Sequence, residues 1–298
     1  MRGLILACTF LMSTSQMNAA DPGYEKELQE WREGREKSLR EDNGWLTLAG
    51  RFPLKAGANT FGTGATNDIV FPPQLKGTGP DRLGTLGVDP DAKQVKLILA
   101  DGVTFQFDGT SFKGERVLKI EGEKPEWIGL GRIRFHIIER SGRYILRLAD
   151  NESLVRKNFT GRIWYPADEA YKVEAKFVPY TDDRKLKIVN VIEEVSMLPC
   201  PGYAEFKLKG ETYKLDAIKD DNGLLFVIRD KTAGDTTYQA SRFLKLEKIP
   251  AANETFTLDF NKAYNPPCAF CEFTTCPLPP KKNVFGFRIE AGEKYRSK

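Results

Sequence analysis

The chain has 298 residues, of which 41% are hydrophobic and 29% are charged, so it can bury a sizeable core and is not compositionally disordered. Its 45 basic and 41 acidic residues nearly cancel, and no run of lysine and arginine is long enough to follow a phosphate backbone. Composition therefore argues against a nucleic-acid partner and favours a globular protein of one large or two modest domains.

Residues 1–20 have the pattern of a cleaved secretory signal. Arg2 supplies a basic start, residues 4–12 are apolar, and small residues end the segment at Ala20. We therefore expect an exported, secreted protein that is periplasmic or extracellular after cleavage. Cys8 raises the alternative of a lipoprotein, but the apolar run continues past it. No later segment has the length and apolarity of a membrane helix, so no transmembrane segment is expected in the mature chain.

Residues 21–44 predict one amphipathic helix. Apolar side chains recur near one helical stripe, and charged residues occupy most other positions. The stripe consists of Tyr24, Leu28, Trp31 and Leu39. Asn43-Gly44 is a usual helix end. We expect the stripe to lie against the body of the protein.

From Trp45 onward, short apolar runs alternate with polar residues, as in "VKLILADGVTFQF" and "RIRFHIIERSGRYILRLAD". This period of two indicates β-strands. Dipeptides typical of hairpin turns separate several runs, at Asp101-Gly102, Ser141-Gly142, Lys209-Gly210 and Asn222-Gly223. The predicted fold class is therefore all-β, with sandwich- or barrel-like antiparallel sheets and one N-terminal amphipathic helix.

The strand rhythm is interrupted near residues 150–171, which predicts a first β-unit at 45–150 and a second at 151–298. The stretch "LKAGANTFGTGATNDIVFP" in the first unit resembles the opening of a forkhead-associated domain. Thr63 follows Gly62, where that family carries its phosphopeptide-reading arginine. The resemblance therefore supports a β-sandwich and does not support phosphopeptide binding.

The sequence lacks the familiar catalytic and nucleotide-binding motifs. It contains one histidine, His136, inside the strand pattern "RFHII", and no G-x-S-x-G elbow accompanies it. We interpret His136 as a structural residue. No P-loop and no dinucleotide glycine motif is present, so no cofactor is predicted.

Four cysteines follow the predicted signal, at Cys200, Cys268, Cys271 and Cys276. An exported protein favours disulfides, and a bridge between Cys268 and Cys276 would leave Cys200 facing Cys271. The spacing of the last three also resembles that of metal ligands, and a zinc site would need Cys200 as its fourth thiolate. Disulfides are the favoured interpretation, and metal binding is the alternative.

Two polar stretches predict a ligand site in the second unit. In "TFTLDFNKAYNPP", Asp259 and Asn261 share one face of a strand, and Tyr264 and Asn265 follow before two prolines fix the backbone. In "RDKTAGDTTYQASRF", the candidates are Asp230, Thr237, Tyr238 and Arg242. Arg242 could pair with Asp259 or Asp230 if neighbouring strands place them opposite each other. The same groups could instead form a buried structural network.

In the stretches "RDKTAGDTTYQASRFL", "LDFNKAYNPPCAFCEFTTCPLPPKKN" and "IEAGEK", the chain resembles the prokaryotic family called domain of unknown function 1684. The earlier stretches "GWLTLAG", "LKAGANTFGTGATNDIVFP" and "FTGRIWYPADEAYKVEAKF" resemble the same family in the same order. The resemblance runs from about Glu30 to Glu293. It implies no activity, because the family has no agreed one. It implies signature positions at Asp230, Thr232, Thr237, Tyr238, Arg242, Asp259, Asn261, Asn265, Cys268, Cys276 and Asn283. Cys271 departs from the pattern, which leaves Cys268 and Cys276 as the expected pair.

The favoured functional hypothesis is binding of a small polar or carbohydrate-like ligand in a pocket near Asp259 and Arg242. The alternative is a hydrolase or lyase in which Asp259 acts as acid or base. Tyr238 or Tyr264 would assist it, and Arg242 would stabilise negative charge. The second alternative is a metal-binding protein that uses the cysteines.

Overall fold

The computed structural model describes residues 21–107, 109–120, 126–140, 142–221 and 223–295. The predicted signal at 1–20, with Cys8, lies outside the described residues. So do Ser141 and Asn222 of two predicted hairpin turns.

The predicted N-terminal helix is present as α1 (Pro22–Arg40). Asp21 caps it, because its Oδ2 accepts hydrogen bonds from the backbone N–H groups of Gly23 (3.0 Å) and Tyr24 (3.2 Å). The helix ends before the predicted Asn43-Gly44, and Asn43 takes a left-handed conformation (φ 61°) in the turn that follows. Of the predicted stripe, Tyr24, Leu28 and Leu39 are buried. A second, one-turn helix, α2 (Leu154–Lys157), follows the first group of strands.

The first group of strands forms two antiparallel sheets around one core. In the described residues its strands are β1 (Leu48–Pro53), β2 (Gly57–Gly62), β3 (Ile69–Val70), β4 (Gly84–Asp89), β5 (Gln94–Leu99), β6 (Phe105–Phe107), β7 (Thr110–Phe112), β8 (Glu115–Leu118), β9 (Ile128–Leu130), β10 (Ile133–Arg140) and β11 (Arg143–Asp150). One sheet has the order β1-β11-β10-β9-β6-β7 and the other β3-β2-β4-β5-β8, whose β2–β3 pair is parallel. Edge-to-face contacts of Phe61 in β2 with Phe105 and Phe135 of the other sheet join the two sheets in the core.

The second group builds a strongly curved sheet. Its described strands are β12 (Ile163–Trp164), β13 (Lys172–Pro179), β14 (Lys185–Val189), β15 (Val195–Pro199), β16 (Gly202–Leu208), β17 (Glu211–Asp220), β18 (Gly223–Ile228), β19 (Arg242–Leu246), β20 (Thr255–Asp259) and β21 (Glu293–Lys294). The main sheet has the order β19-β18-β17-β16-β13-β20, and two short ladders pair β14 with β15 and β12 with β21.

The chain after β20 returns to the opposite edge of that sheet. Tyr264 and Phe243 of β19 exchange two backbone hydrogen bonds, of 2.8 and 3.0 Å. This contact bends the sheet into a half-barrel around a core that includes Phe206, Phe226 and Phe260. The predicted all-β fold with one N-terminal helix is confirmed.

In the part of the chain that the structure describes, no helix combines the length and apolarity required to cross a bilayer.

Helix α1 packs on the second group of strands. Trp31 meets Trp164 edge to face (5.7 Å between centroids) and lies 6.3 Å from the ring of Tyr264. The hydroxyl of Tyr24 donates a hydrogen bond of 2.8 Å to Oδ2 of Asp259. Burial and the Asp259 carboxylate raise the pKa of Tyr24, so the hydroxyl keeps its proton. One buried polar contact thus reinforces the apolar stripe.

Replacing Tyr24 by Phe should lower the free energy of unfolding by about 1.5–3 kcal/mol, because a hydrogen bond to a charged group is lost. Urea denaturation measures it. The matched control is Glu27→Gln, which breaks the exposed Glu27–Lys262 contact (2.6 Å) in the same interface and should cost at most about 1 kcal/mol. Equal effects from the two changes would refute a special role for Tyr24.

Candidate functional site

Arg242 and Asp230 form a buried ion pair. Nη2 of Arg242 lies 2.6 Å from Oδ2 of Asp230, and their side chains are 2% and 1% exposed. Arg242 also donates to the carbonyl oxygens of Ile289 (3.0 Å) and Ala291. Oδ1 of Asp230 accepts from the backbone N–H and the hydroxyl of Thr232 (2.7 and 2.6 Å). Of the two partners predicted for Arg242, the structure shows Asp230, and protein groups saturate the pair.

The hydroxyl groups of two threonines, Thr232 and Thr237, close the turn that carries Asp230. Thr237 is buried, and its Oγ1 lies 2.8 Å from that of Thr232. Tyr238 turns towards the cysteine-rich loop, where its hydroxyl donates to the carbonyl oxygen of Cys268 (3.2 Å). Its ring meets that of Tyr295 edge to face. The predicted residues of this stretch therefore connect the Arg242 network to that loop.

Asp259 belongs to a different network. Its Oδ2 accepts from Tyr24, and its Oδ1 accepts from the backbone N–H (2.9 Å) and side-chain amide (3.1 Å) of Asn261. The Asn261 amide also donates to the carbonyl oxygen of Asp168 (2.8 Å). Asp259 thus holds α1 and the segment before β13. Asp259 and Arg242 belong to separate hydrogen-bond networks with different partners. Their assignment to one ligand site therefore stays a prediction.

The predicted Cys268–Cys276 disulfide is not formed in the structure: all four described cysteines carry free thiols. Sγ of Cys276 instead accepts a hydrogen bond from the backbone N–H of Cys268 (3.2 Å). Cys271 packs with Leu48 and Ala149 of the first group of strands. Cys200 donates to the carbonyl oxygen of Gly202 (3.4 Å).

Burial raises the pKa of both the Cys200 and the Cys271 thiol to about 11, so these thiols stay protonated near neutral pH. Within the described residues, no group of three or more His, Cys, Asp or Glu side chains is placed to hold a metal ion.

A cavity of about 470 Å³ lies between α2, the segment that follows it, and the loops near Asn265 and Glu293. Its apolar wall includes Leu154, Val155, Phe159, Ile163, Phe270 and Tyr295, and its polar groups include Arg162, Asn265 and Glu293. Three of the apolar side chains are substantially exposed, at 73% for Leu154, 43% for Val155 and 38% for Ile163. A mixed wall with few converging polar groups is typical of small-molecule sites.

Glu293 lies fully buried at the wall of this cavity. It begins β21, which pairs with β12 and brings it beside Arg162. Its Oε2 accepts from the Arg162 guanidinium and from the backbone N–H of Asn265 (2.8 Å). Burial raises the pKa of Glu293 to about 7, although Arg162 and the Asn265 N–H act in the opposite direction. Glu293 therefore changes its charge near neutral pH.

Unpaired polar atoms converge beside Glu293. Within the described residues, Nε of Arg35, Nε of Arg162 and Oδ1 of Asn265 are buried and have no hydrogen-bond partner. All three residues line an adjoining cavity of about 220 Å³, which shares Arg162, Asn265 and Phe270 with the larger one. The Arg35 guanidinium stacks on the ring of Tyr264 (3.9 Å to the centroid). We call Arg35, Arg162, Asn265 and Glu293 the arginine–glutamate site.

Sequence reasoning singled out Asn265 and Tyr264 but missed Arg35, Arg162 and Glu293. Arg162 and Glu293 lie in two stretches that resemble the family, "FTGRIWYPADEAYKVEAKF" and "IEAGEK". A single charge inside an apolar, strand-like run is the signal that could have marked Arg162.

Residues 157–294 match the family described as "Protein of unknown function (DUF1684)". The chain resembles the DUF1684 family. The match includes Arg162, Asn265 and Glu293 and begins well after Glu30, where the sequence resemblance was expected to start. A solution NMR structure of an uncharacterized protein from Haloarcula marismortui is 30% identical, over 47% of this chain and 78% of that chain, with a TM-score of 0.40. No curated protein matches the chain.

Arg242→Met should lower the free energy of unfolding by about 3–5 kcal/mol, because it leaves Asp230 buried without its counter-ion. The control is Lys245→Met on the same strand, where Lys245 and Asp220 form a half-exposed pair (3.1 Å) worth at most about 1 kcal/mol. Chemical denaturation of both variants measures the difference. A stable Arg242→Met protein would show that Arg242 is not a structural residue.

Proposed function

We propose that the chain binds a small polar ligand with an acidic group at the arginine–glutamate site. The observation that supports this most strongly is the convergence of three buried, unpartnered polar atoms on adjoining cavities, at Arg35, Arg162 and Asn265. Buried polar atoms without partners each cost about 1–3 kcal/mol, and most buried polar side-chain atoms in folded proteins have a partner. An acidic ligand would satisfy the two arginine donors directly.

The charge balance of the site supports an anionic head group. Arg35 and Arg162 both act on Glu293, whose charge is present only in part at neutral pH, and Glu36 also lies near Arg162, where it accepts from the backbone N–H of that residue. Lys245 lines the same small cavity but is paired with Asp220. Guanidinium groups bind carboxylates and phosphates in a fixed fork geometry, which favours such a ligand over a neutral one.

The larger cavity would hold the remainder of the ligand. Phe159, Phe270 and Tyr295 offer aromatic surface, and Leu154 and Val155 are apolar side chains that water contacts in the free protein. Covering them would add hydrophobic free energy to the ionic contact. A sugar acid or an aromatic acid combines the acidic group with an apolar face of suitable size.

This proposal keeps the small polar ligand predicted from the sequence but moves the centre of its site. The guanidinium of Arg242 is occupied by Asp230, Ile289 and Ala291, and Asp259 is occupied by Tyr24 and Asn261. Asn265 and Tyr264 are the predicted residues that remain at the proposed site.

A hydrolase or lyase is the second candidate function. The observation in its favour is the pKa of Glu293, because a carboxyl group that titrates near neutrality is a suitable general acid or base. Glu293 would take the role that the sequence suggested for Asp259. Turnover of a bound acid that Glu293→Gln abolishes without loss of binding would establish it.

We also propose that the protein is exported, on the basis of the signal-like pattern of residues 1–20. Cell fractionation and N-terminal sequencing of the purified protein test this. A cytoplasmic protein that begins at Met1 would contradict it.

Arg35→Met should weaken binding of an acidic ligand at least about tenfold, since a charge-assisted hydrogen bond is worth about 1.5–3 kcal/mol. The control is Arg32→Met on the same helix, because Arg32 stacks on Trp164 (4.9 Å) away from the cavities. Isothermal titration with glucuronate, galacturonate and benzoate measures the affinities. Failure of all three acids to bind the wild-type protein would contradict the proposal.

Binding of the acid should be tightest below pH 7 and weaken above it, by at most about tenfold per pH unit. Below its pKa of about 7 Glu293 is neutral, so it does not offset the arginine charges; above it, the carboxylate repels the ligand. These acids stay ionised throughout this range. Glu293→Gln should remove the dependence and retain the low-pH affinity. A dependence that survives in Glu293→Gln would assign it to another group.

A further inference from the structure

A third cavity, of about 700 Å³, lies between the turn after α1 and the outer face of the first group of strands. We call it the junction cavity. It shares Trp45 with the smaller cavity of the arginine–glutamate site, but its other lining residues differ from those of that site. Its lining includes Asn43, Trp45, Trp127, His136 and Arg147.

The sheet register places these side chains together. His136 of β10 pairs directly with Arg147 of β11, so both side chains project from the same face. Trp127 directly precedes β9, and its ring lies 4.2 Å from that of His136. The Arg147 guanidinium lies 5.2 Å from the ring centroid of Trp45, which precedes β1.

In the part of the chain that the structure describes, His136 lacks the hydrogen bonds that a buried histidine usually makes. The residue is only 5% exposed. Within the described residues, neither nitrogen of its ring has a hydrogen-bond partner. Most buried side-chain polar atoms have at least one partner. On the same cavity, Nε of Arg147 and Oδ1 of Asn43 are also buried and unpartnered. Three residues from three different segments thus present free hydrogen-bonding capacity to one space.

The unpartnered atoms include donors and acceptors. Burial and the charges of Arg147 and Arg140 lower the pKa of His136 to about 3, so its imidazole is neutral and offers one donor and one acceptor. Arg147 adds a donor and Asn43 an acceptor. A carboxylate satisfies only donors and an ammonium only acceptors, whereas a hydroxyl group satisfies both. The set therefore matches a ligand with several hydroxyl groups.

Two aromatic residues line the same cavity. Trp45 and Trp127 supply broad apolar surfaces on the same cavity, and Trp45 is 36% exposed. A pyranose ring carries hydroxyl groups at its edge and an apolar C–H face, which aromatic rings cover. We propose that the junction cavity binds a neutral carbohydrate, with hydroxyl groups on His136, Arg147 and Asn43 and the sugar ring against the tryptophans. This site is separate from the acidic-ligand site proposed above.

The test uses glucose, galactose, N-acetylglucosamine and cellobiose as probes on the full-length protein, with tryptophan fluorescence and isothermal titration as readouts. The expected result is binding of at least one neutral sugar. His136→Phe keeps a flat ring but removes both nitrogens, and it should weaken that binding at least about tenfold. Because it removes unsatisfied buried polar atoms, the variant should unfold at the same temperature as wild type or higher.

Sugar binding by three further variants tests whether the junction cavity is the binding site. Trp127→Ala should lower sugar affinity, whereas Trp164→Phe, beside Trp31 and outside the cavity, should not. Arg35→Met should leave sugar binding unchanged, which separates this proposal from the acidic-ligand site. Unchanged sugar affinity in His136→Phe, or no binding of any of the four sugars, would overturn the proposal. If His136→Phe unfolds, Arg147→Gln provides the same test of the donor at the cavity.

Discussion

The buried pair of Arg242 and Asp230 is the constraint on which the rest of the second group of strands depends. A guanidinium taken out of water is costly unless it is paired, and here the backbone carbonyls of Ile289 and Ala291 add to the contact with Asp230. This fixes the C-terminal segment against β19. Gly292 follows with φ +81°, where a Cβ would lie 2.4 Å from the carbonyl oxygen of Ala263. The next residue is Glu293, whose carboxylate therefore lies beside Asn265. The ion pair positions the site without belonging to it.

Three buried carboxylates illustrate how the environment of a side chain determines its partners and its charge. Asp230 has a dedicated counter-ion, and Asp259 accepts hydrogen bonds from a tyrosine and an asparagine. Glu293 faces Arg162, but burial outweighs that attraction and raises the pKa of Glu293 to about 7. The first two carboxylates hold segments of the chain together. Glu293 lies on a cavity, beside polar atoms that the protein leaves unpartnered.

The cysteine-rich loop joins the two halves of the molecule through packing rather than covalent chemistry. Cys271 lies against Leu48 and Ala149, and Phe270 stacks under the Arg162 guanidinium (4.9 Å). Phe270 also lines both cavities of the arginine–glutamate site. The prolines and small 3₁₀ turn at Pro267–Ala269 hold this loop in place. A disulfide was expected because the sequence predicts export, but the structure shows free thiols, of which Cys271 and Cys276 are buried.

The sequence by itself determined the elements and their buried faces. Period-two alternation specified the strands, a helical stripe specified α1, and the sequence offered Asp230 as one of two possible partners of Arg242, with Asp259 as the other. Tertiary structure decided the sites. Arg162 and Glu293 are far apart in the chain and meet only because β12 pairs with β21, and Arg35 reaches them from the helix. His136 and Arg147 meet through the register of β10 on β11. Sequence patterns report which side of an element is apolar, but the pairing of distant elements determines which polar groups converge and which lack partners.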